Sequence, residues 1–196
     1  MLGAGEQTVL GNAIVAGNSR ALETFVIPQV FSEAECKHII QLGLSDELER
    51  GQMQEPLDGY RRCTFRFIEE CGSTRWIFLR LKELVTRINS QFGFQLSNFA
   101  EGLQFTRYES GGVIHWHVDT GSGLSATRKI SISIQLSHRE EYEGGNFEFF
   151  PSATPTFSGS RGSAIVFPSF VLHRVTEVTR GVRYSLVVWA HGPSFS

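Results

Sequence analysis

The stretch KISISIQL, residues 129–136, alternates polar and apolar side chains without a break. Because neighbouring side chains of a β-strand point to opposite sides, this pattern predicts a strand with one apolar and one polar face. We expect the apolar face to pack against helices. The polar face either meets solvent or lines the wet interior of a barrel that holds a polar ligand. The apolar face consists of Ile130, Ile132, Ile134 and Leu136, and the polar face of Lys129, Ser131, Ser133 and Gln135.

Helical patterns precede this strand, and short strand-like segments surround it from Glu101 to the C-terminus. Ser32 and Glu35 have the spacing of a capping box, which predicts a helix that begins at Ser32. A second helix is predicted over residues 73–94, where apolar residues recur at helical spacing. Helices followed by a run of short strands indicate an α+β, mainly β fold, as an antiparallel barrel or sandwich. The apolar stripe of the second helix comprises Ile77, Leu81, Leu84, Val85 and Ile88.

The composition is typical of one soluble globular domain. The chain has 196 residues, of which 41% are hydrophobic and 19% charged. We expect a loosely structured segment over residues 1–22 and a single domain over residues 23–196. The net charge of -2 disfavours a nucleic-acid binder, and no apolar run is long enough to span a membrane. Three scattered cysteines (Cys36, Cys63 and Cys71) predict reduced packing residues and a cytoplasmic location.

The segment VIHWHVD, residues 113–119, places His115, His117 and Asp119 at every second position. They are either the wet face of a surface strand or part of a metal site. A mononuclear Fe(II) oxygenase uses two imidazoles and one carboxylate, with open positions opposite them. His117 and Asp119 would supply two ligands, and His173 is the best candidate for the third. A His115–His117 pair combined with His173 is an alternative ligand set.

An arginine follows His173 by ten residues and opens the strand-like segment RYSLVVWA. A guanidinium can hold a carboxylate through two parallel hydrogen bonds. Arg183 could therefore hold the far end of a dicarboxylate whose other end binds the metal. Arg180 could compete for this role, but Arg183 is favoured because it directly precedes the strand.

Several stretches resemble the Fe(II)- and 2-oxoglutarate-dependent oxygenases of the prolyl-4-hydroxylase-like group, especially its small bacterial and phage hydroxylases. Together they span most of residues 23–190. The resemblance implies a double-stranded β-helix, a jelly-roll, cupin-like barrel buttressed by N-terminal helices. The stretches are FVIPQVFSEAECKHII, YESGGVIHWHVDTG, RKISISIQLSHREEYEGGNFEFF and GSAIVFPSFVLHRVTEVTRGVRYSLVVW.

The same resemblance implies roles for individual residues. The implied reaction hydroxylates an unactivated C–H bond, consumes O2 and releases succinate and CO2, with ascorbate as a supporting reductant. Because related halogenases have a small residue in place of Asp119, hydroxylation is expected. The implied catalytic iron ligands are His117, Asp119 and His173, and the implied 2-oxoglutarate contacts are Arg183, which binds the C5 carboxylate, with Tyr108 and Gln135.

The substrate is left open among a prolyl residue, a free amino acid and another small metabolite. We expect the polar loop between Ser45 and Arg62 to select it. Two rival functions are a metal-dependent cupin-like barrel without oxygenase chemistry and a non-catalytic binding barrel. Arg183 disfavours the first rival because such an enzyme needs no dicarboxylate clamp, and the complete ligand set disfavours the second.

Overall fold

The computed structural model describes residues 23–45, 60–151 and 159–195, together with the backbone of strands β1 (Val9–Leu10) and β2 (Ala13–Ala16). Most of the predicted N-terminal segment 1–22 and of the predicted loop 45–62 lies outside the described residues. Within the described part of the chain, no helix has the length and apolar character to cross a membrane. The remaining elements are β3 (Thr24–Ile27), α1 (Glu33–Leu44), β4 (Arg61–Arg62), β5 (Thr64–Ile68), α2 (Arg75–Phe92), β6 (Leu103–Tyr108), β7 (Val113–His117), β8 (Arg128–Gln135), β9 (Tyr142–Gly144), β10 (Phe147–Phe149), β11 (Ala164–Pro168), β12 (His173–Val175), β13 (Val178–Gly181) and β14 (Arg183–His191).

Both predicted helices are present, with the predicted start for the first. The Ser32 hydroxyl accepts a hydrogen bond from the Glu35 amide, and the Glu35 carboxylate accepts one from the Ser32 amide. This reciprocal cap satisfies two N–H groups that the first turn of α1 cannot pair internally. Helix α2 ends at Gly93, whose positive φ of 70° is the left-handed conformation that favours glycine.

The strands form three antiparallel sheets. The largest has eight strands in the order β1-β2-β3-β11-β8-β14-β6-β5, and the second has four in the order β10-β12-β7-β4. Strands β13 and β9 form a separate pair. The described part of the chain is therefore mainly β with two α-helices, which confirms the predicted class at this level.

The eight-stranded sheet has a different core on each of its two faces. One face carries the apolar side of β8, which is inaccessible to solvent and packs with the apolar stripe of α2. This confirms that the helices cover the apolar face. The other face meets the smaller sheet through a second apolar cluster, which includes Phe147, Phe167 and Val175.

The polar face of β8 is buried as well. Each of Lys129, Ser131, Ser133 and Gln135 is at most 5% exposed. The alternative in which these side chains meet solvent is therefore wrong, and they lie in the protein interior.

All three cysteines are free thiols, as predicted. Cys36 is buried in the helix-side core, and Cys63 is half-buried against the second cluster. Cys71 is exposed, so the prediction that it is a packing residue is wrong. It lies in the turn before α2, where the chain runs along the surface.

Candidate metal centre and cosubstrate pocket

The two histidines of the predicted ligand set lie on neighbouring strands. Strand β7 ends at His117, β12 begins at His173, and these two residues stand opposite each other in the antiparallel register. Their ring centroids are 4.2 Å apart. Asp119 follows β7 by two residues, and the potential ligand atoms of the three side chains all lie within 4.8 Å of one another. The fold thus brings together residues that are far apart in the sequence.

Hydrogen bonds orient both imidazoles toward the carboxylate. The Nδ1 atom of His117 lies 2.8 Å from the His115 carbonyl oxygen, and Nδ1 of His173 lies 2.9 Å from that of Val171. Because a carbonyl oxygen only accepts, we assign the ring proton to Nδ1, which leaves the Nε2 lone pair available. Each Nε2 lies 3.7 Å from one oxygen of Asp119, His117 from Oδ1 and His173 from Oδ2.

The surroundings of His173 keep its imidazole neutral at pH 7. The side chain is buried between the rings of Phe147, which stacks on it at a centroid distance of 5.2 Å, and Phe167, at 4.7 Å. Burial lowers the pKa of His173 to about 4, although the nearby carboxylate of Asp119 opposes this effect. A neutral imidazole needs no deprotonation before it binds a metal ion.

Asp119 is held as a carboxylate. Burial alone would raise its pKa, but the adjacent His173 and His117 and a hydrogen bond from Ser131 outweigh burial and lower the pKa. The Ser131 hydroxyl donates to Oδ2 at 2.6 Å. Two imidazoles and one carboxylate therefore face a common point, and this donor set suits a divalent transition metal such as Fe(II).

His115 lies outside this cluster. Its side chain is exposed, and the group of potential ligands in the described part of the chain is formed by His117, Asp119 and His173. Its backbone carbonyl is the acceptor that orients His117. The geometry thus disfavours the alternative ligand set that combines His115 with His117.

The three candidate ligands border a cavity of about 310 Å³ between the two larger sheets. This is the lower end of the size range for small-molecule sites. Its wall is largely aromatic and aliphatic, with a few polar groups. Besides the ligands, the lining residues are Tyr60, Arg61, Phe65, Phe67, Gln104, Tyr108, Ile114, Val118, Arg128, Ser133, Phe147, Phe167, Val175, Val187 and Trp189.

Arg183 lies next to this cavity, behind Tyr108. It is 2% exposed, and its Cζ atom is 5.0 Å from the centre of the Tyr108 ring. Its Nε and Nη1 atoms have no hydrogen-bond partner among the described residues. A buried cation without a counter-charge is costly, so this side chain is suited to receive an anionic ligand. Burial raises the pKa of Tyr108, which keeps its hydroxyl protonated and able to donate to the same ligand.

The competing Arg180 has a different environment. It is exposed, and its Nη2 atom donates to Glu143 at 2.7 Å.

A glycine makes room for the buried side chain of Arg183. Gly145 has a φ of 58°, and a Cβ atom there would lie 2.9 Å from Cδ of Arg183. The EGG turn therefore leaves room for the buried guanidinium.

Gln135 is buried, but it is not among the residues that line the cavity. Its amide donates to the Tyr142 hydroxyl and to the Ser137 carbonyl oxygen, both at 3.0 Å. Its predicted contact with 2-oxoglutarate stays a prediction. Gln104 and Trp189, by contrast, line the cavity.

Sequence reasoning missed Arg128. It lines the cavity, pairs with Glu101 through Nε and Nη2 at 2.7 and 2.6 Å, and donates from Nη1 to the Asp119 carbonyl oxygen. Its guanidinium also lies 3.6 Å from the centre of the Trp189 ring. Alternation along β8 assigns Arg128 to the apolar, helix-facing side. An irregular register between Ala190 and His191 shifts the end of the strand, and the sequence carries no signal for it.

Comparison with known proteins agrees with the geometry. Residues 103–191, which contain all the candidate ligands and Arg183, match the model of the 2OG-Fe(II) oxygenase superfamily. The two cofactors predicted from the sequence, Fe(II) and 2-oxoglutarate, are those of the matched family. A PKHD-type hydroxylase of Delftia acidovorans is 35% identical over 97 residues, which cover 45% of this chain and 42% of the relative. The matched segment therefore spans less than half the length of this curated relative.

Solved structures share the fold over most of the chain. A viral collagen prolyl hydroxylase from Paramecium Bursaria Chlorella virus-1, in a 2OG complex, has a TM-score of 0.68 and 19% identity. The match covers 87% of this chain and 96% of the viral protein. A prolyl-4-hydroxylase of Pseudomonas putida has a TM-score of 0.66 and 19% identity, with 87% and 93% coverage.

Proposed function

We propose that the protein is an Fe(II)- and 2-oxoglutarate-dependent hydroxylase of the 2OG-Fe(II) oxygenase superfamily, whose model residues 103–191 match. The reaction converts a substrate C–H bond, O2 and 2-oxoglutarate into the hydroxylated product, succinate and CO2. The observation that carries the proposal is one arrangement of charges. Two imidazoles and a carboxylate converge at one side of a cavity, and beside it lies a buried guanidinium whose Nε and Nη1 atoms have no hydrogen-bond partner among the described residues.

In this proposal each group has one task. His117 and His173 would hold Fe(II) through their Nε2 atoms, and Asp119 would hold it through a carboxylate oxygen. When bound, the metal supplies the redox chemistry that couples O2 reduction to oxidation of 2-oxoglutarate. Arg183 binds the C5 carboxylate of 2-oxoglutarate through its unpartnered N–H groups, and the Tyr108 hydroxyl donates to the cosubstrate.

The walls of the cavity have a complementary task. Phe147 and Phe167 pack around His173, fix its ring and exclude water from that side of the metal. Exclusion of water strengthens the interactions of charged groups and protects reactive species from side reactions. The aromatic wall therefore protects the centre.

The rival function, a metal-dependent barrel without oxygenase chemistry, is disfavoured by Arg183. Metal binding alone gives no use for a buried guanidinium behind Tyr108 whose Nε and Nη1 atoms have no hydrogen-bond partner among the described residues. A non-catalytic barrel is disfavoured by the assembled ligand set.

The fold and the substrate complete the proposal. We assign residues 23–196 to one oxygenase domain, and the two larger sheets to the double-stranded β-helix of the superfamily.

A prolyl hydroxylase of Trichoplax adhaerens, solved with a hypoxia inducible factor peptide fragment, matches 86% of this chain at a TM-score of 0.65. A cavity of about 310 Å³ suits one side chain of a short peptide or a free amino acid.

The first experiment tests the metal ligands. Anaerobic addition of Fe(II) and 2-oxoglutarate should produce the visible charge-transfer band of a chelated keto acid. His117→Ala and Asp119→Ala should abolish the band because each removes a ligand. The matched control is His115→Ala, which should keep the band because His115 orients His117 through its backbone carbonyl. Full iron and cosubstrate binding by Asp119→Ala would contradict the ligand assignment.

The second experiment tests the clamp. Arg183→Ala should weaken 2-oxoglutarate binding to the iron-loaded protein by roughly 30-fold or more, since a buried charged hydrogen bond contributes about 2 kcal/mol or more. Arg180→Ala is the matched control and should leave the binding constant unchanged. Equal losses in the two variants would sink the clamp assignment. Tyr108→Phe and Gln135→Ala, measured the same way, test the two remaining cosubstrate contacts.

The third experiment addresses the substrate. Succinate release, measured with ascorbate present, should rise above its basal rate when a true substrate is added. The panel should contain proline-containing peptides, free amino acids and other small metabolites, and mass spectrometry should find one added oxygen per product.

A further inference from the structure

Asp119 is held more firmly than its position just beyond the end of β7 would suggest. Its backbone N–H donates to the Ser169 carbonyl oxygen at 2.8 Å, and its own carbonyl accepts from Arg128 Nη1 at 3.1 Å. Its carboxylate accepts from the Ser131 hydroxyl at 2.6 Å, a distance typical of a hydrogen bond to a charged oxygen. Backbone and side chain are therefore both fixed, by residues of β8 and of the turn after β11.

The direction of the protons around Ser131 follows from simple counting. A carboxylate only accepts, so the single proton of the Ser131 hydroxyl is directed at Oδ2 of Asp119. The Oγ atoms of Ser131 and Ser169 are 2.9 Å apart, so Ser169 must be the donor in that second bond. Both serines are completely buried. The result is a one-way chain from Ser169 to Ser131 to Oδ2.

We propose that Ser131, supported by Ser169, is a positioning residue that makes Asp119 bind the metal through one oxygen only. The hydrogen bond engages Oδ2 and withdraws charge from it, so that Oδ1 becomes the better ligand. The proposed reaction would need open positions on the metal for 2-oxoglutarate and O2. A carboxylate that bound through both oxygens would occupy one of them. This inference rests on the proposed function, because it assigns Asp119 as a metal ligand.

The chain offers a closely matched control for Ser131. Ser133 lies two residues further on β8, on the same face, is buried as well and borders the cavity, but the hydrogen bond to the Asp119 carboxylate comes from Ser131. Removal of its hydroxyl leaves the carboxylate of Asp119 and its hydrogen bond from Ser131 in place. A comparison of Ser131→Ala with Ser133→Ala therefore isolates the bond to Oδ2 from the general loss of a buried hydroxyl.

The experiment measures binding of Co(II), used as a redox-stable probe, to the full chain without 2-oxoglutarate. Ser131→Ala should weaken Co(II) binding about 10- to 100-fold, as expected when a partner of a metal ligand is removed. Its Co(II) absorption spectrum should also change, because the spectrum reports the number of ligands. Ser133→Ala should match the wild type in affinity and spectrum, and Ser131→Thr, which keeps the hydroxyl, should restore both.

Ser169 gives a second test of the same chain of hydrogen bonds. Ser169→Ala should cause a smaller loss of affinity than Ser131→Ala. The double variant should be no weaker than Ser131→Ala, because Ser169 acts only through Ser131. Additive losses, or Co(II) affinity and spectrum unchanged in Ser131→Ala, would overturn the positioning role. A wild-type protein that binds no Co(II) would instead overturn the proposed function, so the two failures are distinguishable.

Discussion

Strand β8 allows a direct comparison, because one face packs against the helices and the other faces the interior that holds the candidate site. Both faces are nearly inaccessible to solvent. On the helix side, Ile130, Ile132 and Ile134 contribute apolar contacts alone. On the site side, Ser131 donates a hydrogen bond to the carboxylate of Asp119, a candidate metal ligand, and Gln135 donates one to the Tyr142 hydroxyl. The two faces are thus equally buried, but the helix-side face contributes to stability, whereas the site-side face arranges polar groups.

The largest expected effect is a difference in stability between substitutions on the two faces of β8. Ile132→Ala should lower the free energy of unfolding by about 2–5 kcal/mol, because it removes buried methyl groups and leaves a cavity in the core. Ser133→Ala, at the next position of the same strand, should cost much less. Urea unfolding of the metal-free proteins measures both values. Equal losses would mean that the site face contributes as much to stability as the helix face.

The next prediction is a gain in stability instead of a loss. Arg183→Met should raise the free energy of unfolding of the metal-free protein by about 1–4 kcal/mol, since it replaces a buried unpaired charge with an apolar chain. It should at the same time weaken 2-oxoglutarate binding. Arg180→Met, at the exposed pair with Glu143, should change stability by less than about 0.5 kcal/mol. Strong destabilisation by Arg183→Met would show that the cation has a stabilising partner.

A third prediction concerns pH. Burial alone would raise the pKa of Glu101, but the neighbouring His191 and Arg128 outweigh it and lower the pKa to about 2. A lowered pKa in the folded state contributes stability above the ordinary value of 4.5, which is lost as the pH falls toward 2. Glu101→Gln should therefore cost about 1–3 kcal/mol at pH 7 and show a flatter decline in acid. Parallel acid-unfolding curves for the two proteins would contradict this.

The smallest effect lies on the helix side. Ser32→Ala should lower the free energy of unfolding by about 1 kcal/mol, because it removes the side-chain cap of α1. Metal and 2-oxoglutarate binding should be unchanged, since α1 packs on the face of the large sheet opposite the site. Calorimetric unfolding together with the charge-transfer band checks both parts. A weaker band in Ser32→Ala would show that the two faces are coupled.

The sequence alone supported a large part of this description through local patterns. Alternation in KISISIQL predicted a strand and the composition of its two faces, and the capping box predicted where α1 begins. The resemblance of longer motifs selected His117, Asp119, His173 and Arg183 before any geometry was known. These signals depend on residue types at fixed spacings, which a sequence records directly.

Other features depended on contacts between distant residues. The alternating pattern could not tell whether the polar face of β8 meets solvent or the protein interior, because alternation does not record what lies opposite a strand. Arg128 was missed because a register shift altered the direction of its side chain. The chain from Ser169 through Ser131 to Asp119 joins three segments, and no spacing in the sequence encodes it.

The sequence by itself therefore determined the elements, the faces and the candidate ligands. Tertiary structure decided that the polar face is interior and that the His117 and His173 rings meet across paired strands. It also decided that Arg183 is buried, with Nε and Nη1 left without a hydrogen-bond partner in the part of the chain that the structure describes. The physical reason is that periodicity and capping are local, whereas burial and hydrogen-bond partnership arise when separate segments pack together.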